Sequence, residues 1–125
     1  SFSGLKTAVL YALEDLEEKD YPDVAASFQE AVVDVLVQKL AYAIEQTGIK
    51  KLVCSGGVAA NSLLRERLTD MGKTSELEVS YPKMEFCTDN AAMIAYAGFI
   101  RKKYNLKKYS TAYARPRWPL GELYD

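Results

Sequence analysis

The chain has 125 residues, 49% of them hydrophobic and 26% charged, with a net charge of −1, which fits one soluble globular domain and leaves no room for a second full one. No apolar stretch approaches the roughly 20 residues that span a bilayer, and the opening SFSGLKTAVLYAL lacks a basic region and a small-residue cleavage site. A cytoplasmic protein with no membrane partner is expected.

Residues 4–16 predict a short helix, and the acidic stretch EDLEEKDYPD separates it from the next element. Pro22 suits the first turn of a new helix. From Val24 to Gln46 the apolar residues Phe28, Val32, Leu36, Leu40 and Ala43 recur every three or four positions, while Glu30, Asp34 and Gln38 fall on another stripe. That pattern predicts a long amphipathic helix closed by Gly48. The run IKKLVCSG has the composition of a buried strand, and AANSLLRERL has the leucine spacing of a helix continuing to about Met71. A second strand near LEVSYP leads through KMEFCTDN into an alanine-rich helix from about Asn90 to Tyr104. In that helix Ala91, Ala92, Ala95, Ala97 and Gly98 read as a face packed closely on a neighbour. The tail, with Pro116 and Pro119, is expected to be irregular, with Trp118 as a plug over the core or, alternatively, a stacking surface for a base.

This order predicts an α/β layer with parallel strands and flanking helices. Two strands make too small a sheet, because an open parallel pair leaves both edges unpaired and normally needs neighbours on each side. The chain also begins at Ser1 without methionine, so a piece of a longer protein is expected.

Three places carry candidate chemistry. Gly56 and Gly57 lie at the strand-to-helix turn, where glycine lets the backbone approach a ligand and the new helix offers free N–H groups to an anion. A tight turn with no ligand explains the same residues. Asn61 reads either as a helix-start residue bonding nearby backbone or as a ligand contact at the carboxyl edge of a parallel sheet. Asp89, in CTDN before an alanine-rich helix, reads as an N-cap accepting backbone N–H bonds. Arg65 and Arg67 are expected on the solvated side of their helix. Cys54 and Cys87 form no CxxC pair and are expected to be small buried apolar residues. Residues 1–50 hold four Lys/Arg and nine Asp/Glu, whereas residues 99–125 hold seven and two. Cations interleaved with aromatics in that basic tail fit a nucleic-acid contact, and Lys102 and Lys103 equally fit a helix C-terminus.

SFSGLKTAV, CSGGVAANSLLRERL, and CTDNAAMIAYAG followed by RPRWPL occur in one order and together carry a resemblance. The chain resembles the C-terminal part of the TsaD family, the tRNA N6-adenosine threonylcarbamoyltransferases, also called Gcp and formerly labelled O-sialoglycoprotein endopeptidase. The resemblance implies an actin-like ATPase (ribonuclease H-like) fold, with residues 1–125 as the C-terminal portion of its second α/β domain and the N-terminal half absent. It implies transfer of a threonylcarbamoyl group from threonylcarbamoyl-adenylate to N6 of the adenosine beside the anticodon of tRNA.

By the same resemblance Gly56, Gly57 and Asn61 contact the adenylate or ATP, and Asp89 binds iron or another divalent metal. The metal's other ligands would be a histidine pair upstream, and this chain has no histidine. The fragment alone is therefore expected to be inactive. The implied partners are tRNA, accessory proteins of the modification and the missing half. A kinase of the actin-like superfamily and a non-catalytic assembly domain are the alternatives. No serine, histidine and acid set supports the old peptidase label.

Overall fold

The computed structural model describes residues 2–106 together with Arg117 and Pro119. The elements are α1 (Phe2–Ala12), α2 (Tyr21–Thr47), β1 (Lys51–Val53), α3 (Ser62–Thr74), β2 (Glu78–Ser80) and α4 (Ala91–Lys103). Short 3-10 turns occupy Leu13–Asp15, Glu18–Asp20, Gly57–Ala60 and Met84–Phe86. The chain divides into two compact units, Ser1–Asp89 and Asn90–Asp125. The expected irregular tail around Pro116 and the Trp118 plug lie outside the described residues.

In the first unit, α1 stops at Ala12 rather than at residue 16. Glu14 and Asp15 follow at once, and carboxylates are unfavourable at the negative end of a helix dipole, so the chain tightens into a 3-10 turn. Glu17 and Asp20 then form a reciprocal capping box, with the Glu17 N–H donating to the Asp20 carboxylate at 3.2 Å. Pro22 lies in the first turn of α2, and Gly48 closes it at φ +66°, donating its N–H to Ile44 O at 2.8 Å. Both termini follow the expected chemistry.

The core is small. Val33, Leu64 and Leu68 are buried together, with Leu36, Val37, Leu40, Leu52, Met71 and Val79 packed against them. The expected stripe on α2 holds at Leu36 and Leu40 and differs at its other positions. Val33 replaces Val32 as its buried member, while Phe28 is 38% exposed and Ala43 is exposed. The cause is that α3 meets α2 around Val33, and the ends of the stripe lack a comparable cover among the described residues.

β1 and β2 pair in parallel, with Lys51 opposite Glu78, Leu52 opposite Val79 and Val53 opposite Ser80. Only Leu52 and Val79 turn toward the core, and Val53 is 74% exposed, so the strand is half-covered rather than buried. The two-stranded parallel sheet is the mixed α/β arrangement expected, at the expected small size.

In the second unit, Asn90 caps α4 by accepting from Met93 N at 3.0 Å, and Arg101, Lys102 and Lys103 fill the last turn, where cations offset the dipole. The Tyr96 and Phe99 rings stack at 6.2 Å. No residue of α4 is buried, and Ala91, Ala92, Ala95, Ala97 and Gly98, expected to pack closely on a neighbour, are exposed. No described helix is long and apolar enough to cross a membrane.

Candidate nucleotide loop

β1 delivers the chain to the site. Cys54 N donates to Ser80 O at 3.0 Å, one residue past the strand, and the backbone then turns at Gly56. Gly56 has φ +90° and ψ 177°, a region essentially closed to any residue with a side chain. Gly57 differs from it. Its φ is not positive, and an added methyl there would meet nothing within 4 Å. The fold therefore requires glycine at the first position and not at the second.

Residues Gly57–Ala60 make a 3-10 turn that ends at Asn61, the N-cap of α3. Asn61 Oδ1 accepts from Leu64 N at 2.9 Å, and Asn61 Nδ2 donates to Gln29 Oε1 on α2 at 2.8 Å. The capping reading of Asn61 is correct. One amide N–H and one oxygen lone pair remain beyond these two bonds. Beside the amide an open groove of about 250 Å³ runs between α2 and α3, lined by Phe28, Val32, Leu36, Val58, Asn61 and Leu64. Gln29 lines it as well, so the groove is apolar with two amides at its edge, a composition common in small-molecule sites.

Arg65 is not on a solvated face. It is half-buried, and its Nε donates to Ala59 O while Nη2 lies 3.1 Å from both Pro82 O and Cys87 Sγ. Its guanidinium also stands 4.8 Å from the centre of the Tyr81 ring, whose hydroxyl donates to Arg65 O at 3.1 Å. Arg67 does sit on the exposed side, paired with Glu30 of α2. Sequence reasoning missed Gln29 and Arg65. The available signal for Arg65 was its place four residues after Asn61, on the same helix face.

Cys87 is buried and Cys54 half-buried. Burial pushes the Cys54 thiol up, Arg65 partly offsets this, and Cys87 adds to it. Asp89 is exposed and is not the N-cap of α4, because Asn90 takes that role. The capping reading of Asp89 is therefore wrong, and its carboxylate makes no ion pair with a described residue.

A parallel strand, a glycine turn and a capped helix form the corner at which α/β proteins bind ligands. The chain belongs to the tRNA N6-adenosine threonylcarbamoyltransferase (TsaD) family, whose model matches residues 1–96. The tRNA N6-adenosine threonylcarbamoyltransferase of Methylobacillus flagellatus is 47% identical over 127 residues, covering 98% of this chain. The chain spans 38% of the length of that curated relative.

Proposed function

We propose that the protein of which this chain forms part transfers a threonylcarbamoyl group from threonylcarbamoyl-adenylate to N6 of a tRNA adenosine. In that reaction the adenosine nitrogen attacks the carbamoyl carbonyl carbon, the bond from that carbon to the phosphate oxygen breaks, and AMP leaves as N6 loses a proton. Residues Gly56, Gly57 and Asn61 hold the adenylate, and the chain forms part of the second α/β domain of an actin-like fold. The work of the loop is to orient the adenylate and to exclude water while the two substrates meet.

One observation carries this reading: Gly57 is a glycine that neither backbone conformation nor protein packing demands, one residue after a glycine that the turn does demand. A ligand approaching the backbone supplies the missing reason. The adjoining apolar groove with the Asn61 amide at its edge suits a nucleoside base, and family membership supplies the substrate class.

Asp89 enters as one metal ligand, for iron or another divalent ion. The residues of this chain do not suffice for such a site, since the sequence has no histidine and no described group of three His, Cys, Asp or Glu side chains is placed to hold an ion. The remaining donors come from outside residues 1–125. tRNA and the accessory proteins of the modification are its partners, in the cytoplasm.

The test supplies the full-length protein with threonylcarbamoyl-adenylate and unmodified tRNA, and measures AMP release together with modified adenosine. Stoichiometric formation of both is expected. Nucleotide hydrolysis without any modified adenosine would reject the transfer reading.

A further inference from the structure

Two loops flank the candidate site, Gly56–Ala60 before α3 and residues 82–89 after β2. No backbone hydrogen bond joins them among the described residues. What joins them is the Arg65 side chain. Its Nε holds Ala59 O in the first loop, and its Nη2 holds Pro82 O and Cys87 Sγ in the second. The Tyr81 ring lies against the same guanidinium, and the Tyr81 hydroxyl donates to the main-chain Arg65 O, which holds the ring beside the fork. All of these acceptors are neutral. A half-buried guanidinium with no described carboxylate against it is spent on geometry rather than on charge pairing. Asp89 follows Cys87 by two residues, so fixing Cys87 limits where its carboxylate can stand.

We propose that Arg65 is a positioning residue that ties the glycine loop to the loop of Pro82 and Cys87 and so fixes where the glycine loop stands against a bound nucleotide. The inference rests on the nucleotide reading given above. A lysine cannot replace this residue, because its single Nζ on a flexible stem cannot reach Ala59 O and Pro82 O together or present a flat face to Tyr81. With the tie cut, the glycine loop samples other positions and Cys87 loses the guanidinium that stands against its sulfur.

The experiment uses the full-length protein, wild type and Arg65→Lys, with three readouts: ATP dissociation constant, iodoacetamide labelling of Cys87 followed by peptide mass, and unfolding midpoint. The variant is expected to weaken ATP binding about tenfold, the equivalent of one lost bond to a charged group. Cys87 labelling is expected to rise by a comparable factor, while the midpoint falls by no more than about 5 °C. In turnover, KM for the adenylate rises more than kcat falls. Unchanged affinity and unchanged labelling would overturn the inference. A large loss of midpoint would overturn it too, since Arg65 would then be a staple of the fold as a whole. Wild-type protein that binds no ATP would defeat the nucleotide reading itself, an outcome separate from equal binding by both forms.

Discussion

The Asn61 side-chain amide donates to Gln29 Oε1 at 2.8 Å while its oxygen accepts from Leu64 N at 2.9 Å, so one residue both starts α3 and ties it to the N-terminal third of α2. Asn61 is therefore part of the fold as well as a candidate contact. Replacing it by alanine removes a cap worth about 1 kcal/mol along with any ligand bond, and the two losses would be confused. A variant that keeps an acceptor at the cap separates them.

The two glycines of the loop should also separate. Gly56→Ala forces a side chain into a conformation at φ +90° and is expected to cost about 1–3 kcal/mol of stability. Gly57→Ala is expected to leave stability within about 0.5 kcal/mol, since nothing in the protein crowds the new methyl, yet to weaken nucleotide binding. Urea unfolding paired with ATP titration checks both. Equal stability losses at the two sites would remove the argument for a ligand at Gly57.

Gly72 gives a prediction about packing alone. Glycine to alanine inside a helix usually stabilises, by roughly 0.5–1 kcal/mol. Here a Cβ would stand 3.0 Å from Leu77 O and 3.0 Å from Val79 Cγ2, where β2 passes close to α3. Gly72→Ala is expected to destabilise by about 1–2 kcal/mol, read as a lower urea midpoint. A raised midpoint would mean that the strand shifts away without cost.

How far the sequence announced this structure depends on the range of the forces involved. The helix termini at Pro22, Gly48 and Asn61 were legible because capping is local, and the order of strands and helices followed from periodicity. Asn90 as the cap in place of Asp89 was a choice between adjacent residues that depends on one backbone torsion. Arg65 was misread because its partners, Ala59, Pro82 and Cys87, lie far apart along the chain and meet only after folding. On the α2 stripe Leu36 and Leu40 pack on the core as read, and only the choice between the adjacent Val32 and Val33 depended on which of them α3 reaches. Gly56 and Gly57 were seen as a pair, and their unequal conformational demands were not visible in composition.

Asp89→Asn tests the metal assignment in the full-length protein. The change keeps size and removes charge, and with Asn90 supplying the cap, stability is expected to hold within about 0.5 kcal/mol. Metal content by elemental analysis is expected to fall together with transfer activity. Retention of full metal occupancy would show that Asp89 is not a ligand.

The thiol at Cys54 is expected to alkylate slowly at neutral pH. Burial disfavours its thiolate more than Arg65 favours it, so the reactive form accumulates only at higher pH than in a free cysteine. The iodoacetamide rate plotted against pH should have its midpoint above the value found for a free cysteine. A midpoint below that value would mean that the Arg65 charge, rather than burial, governs the site.

The most direct measurement of the nucleotide assignment is the ATP dissociation constant of the full-length protein carrying Asn61→Ser. Serine still offers an oxygen to cap α3, so the helix start survives while the amide N–H groups are lost. The account predicts affinity lower by about tenfold, as for one neutral hydrogen bond of about 1–1.5 kcal/mol, with the unfolding midpoint held within about 3 °C. An affinity within twofold of wild type would contradict it.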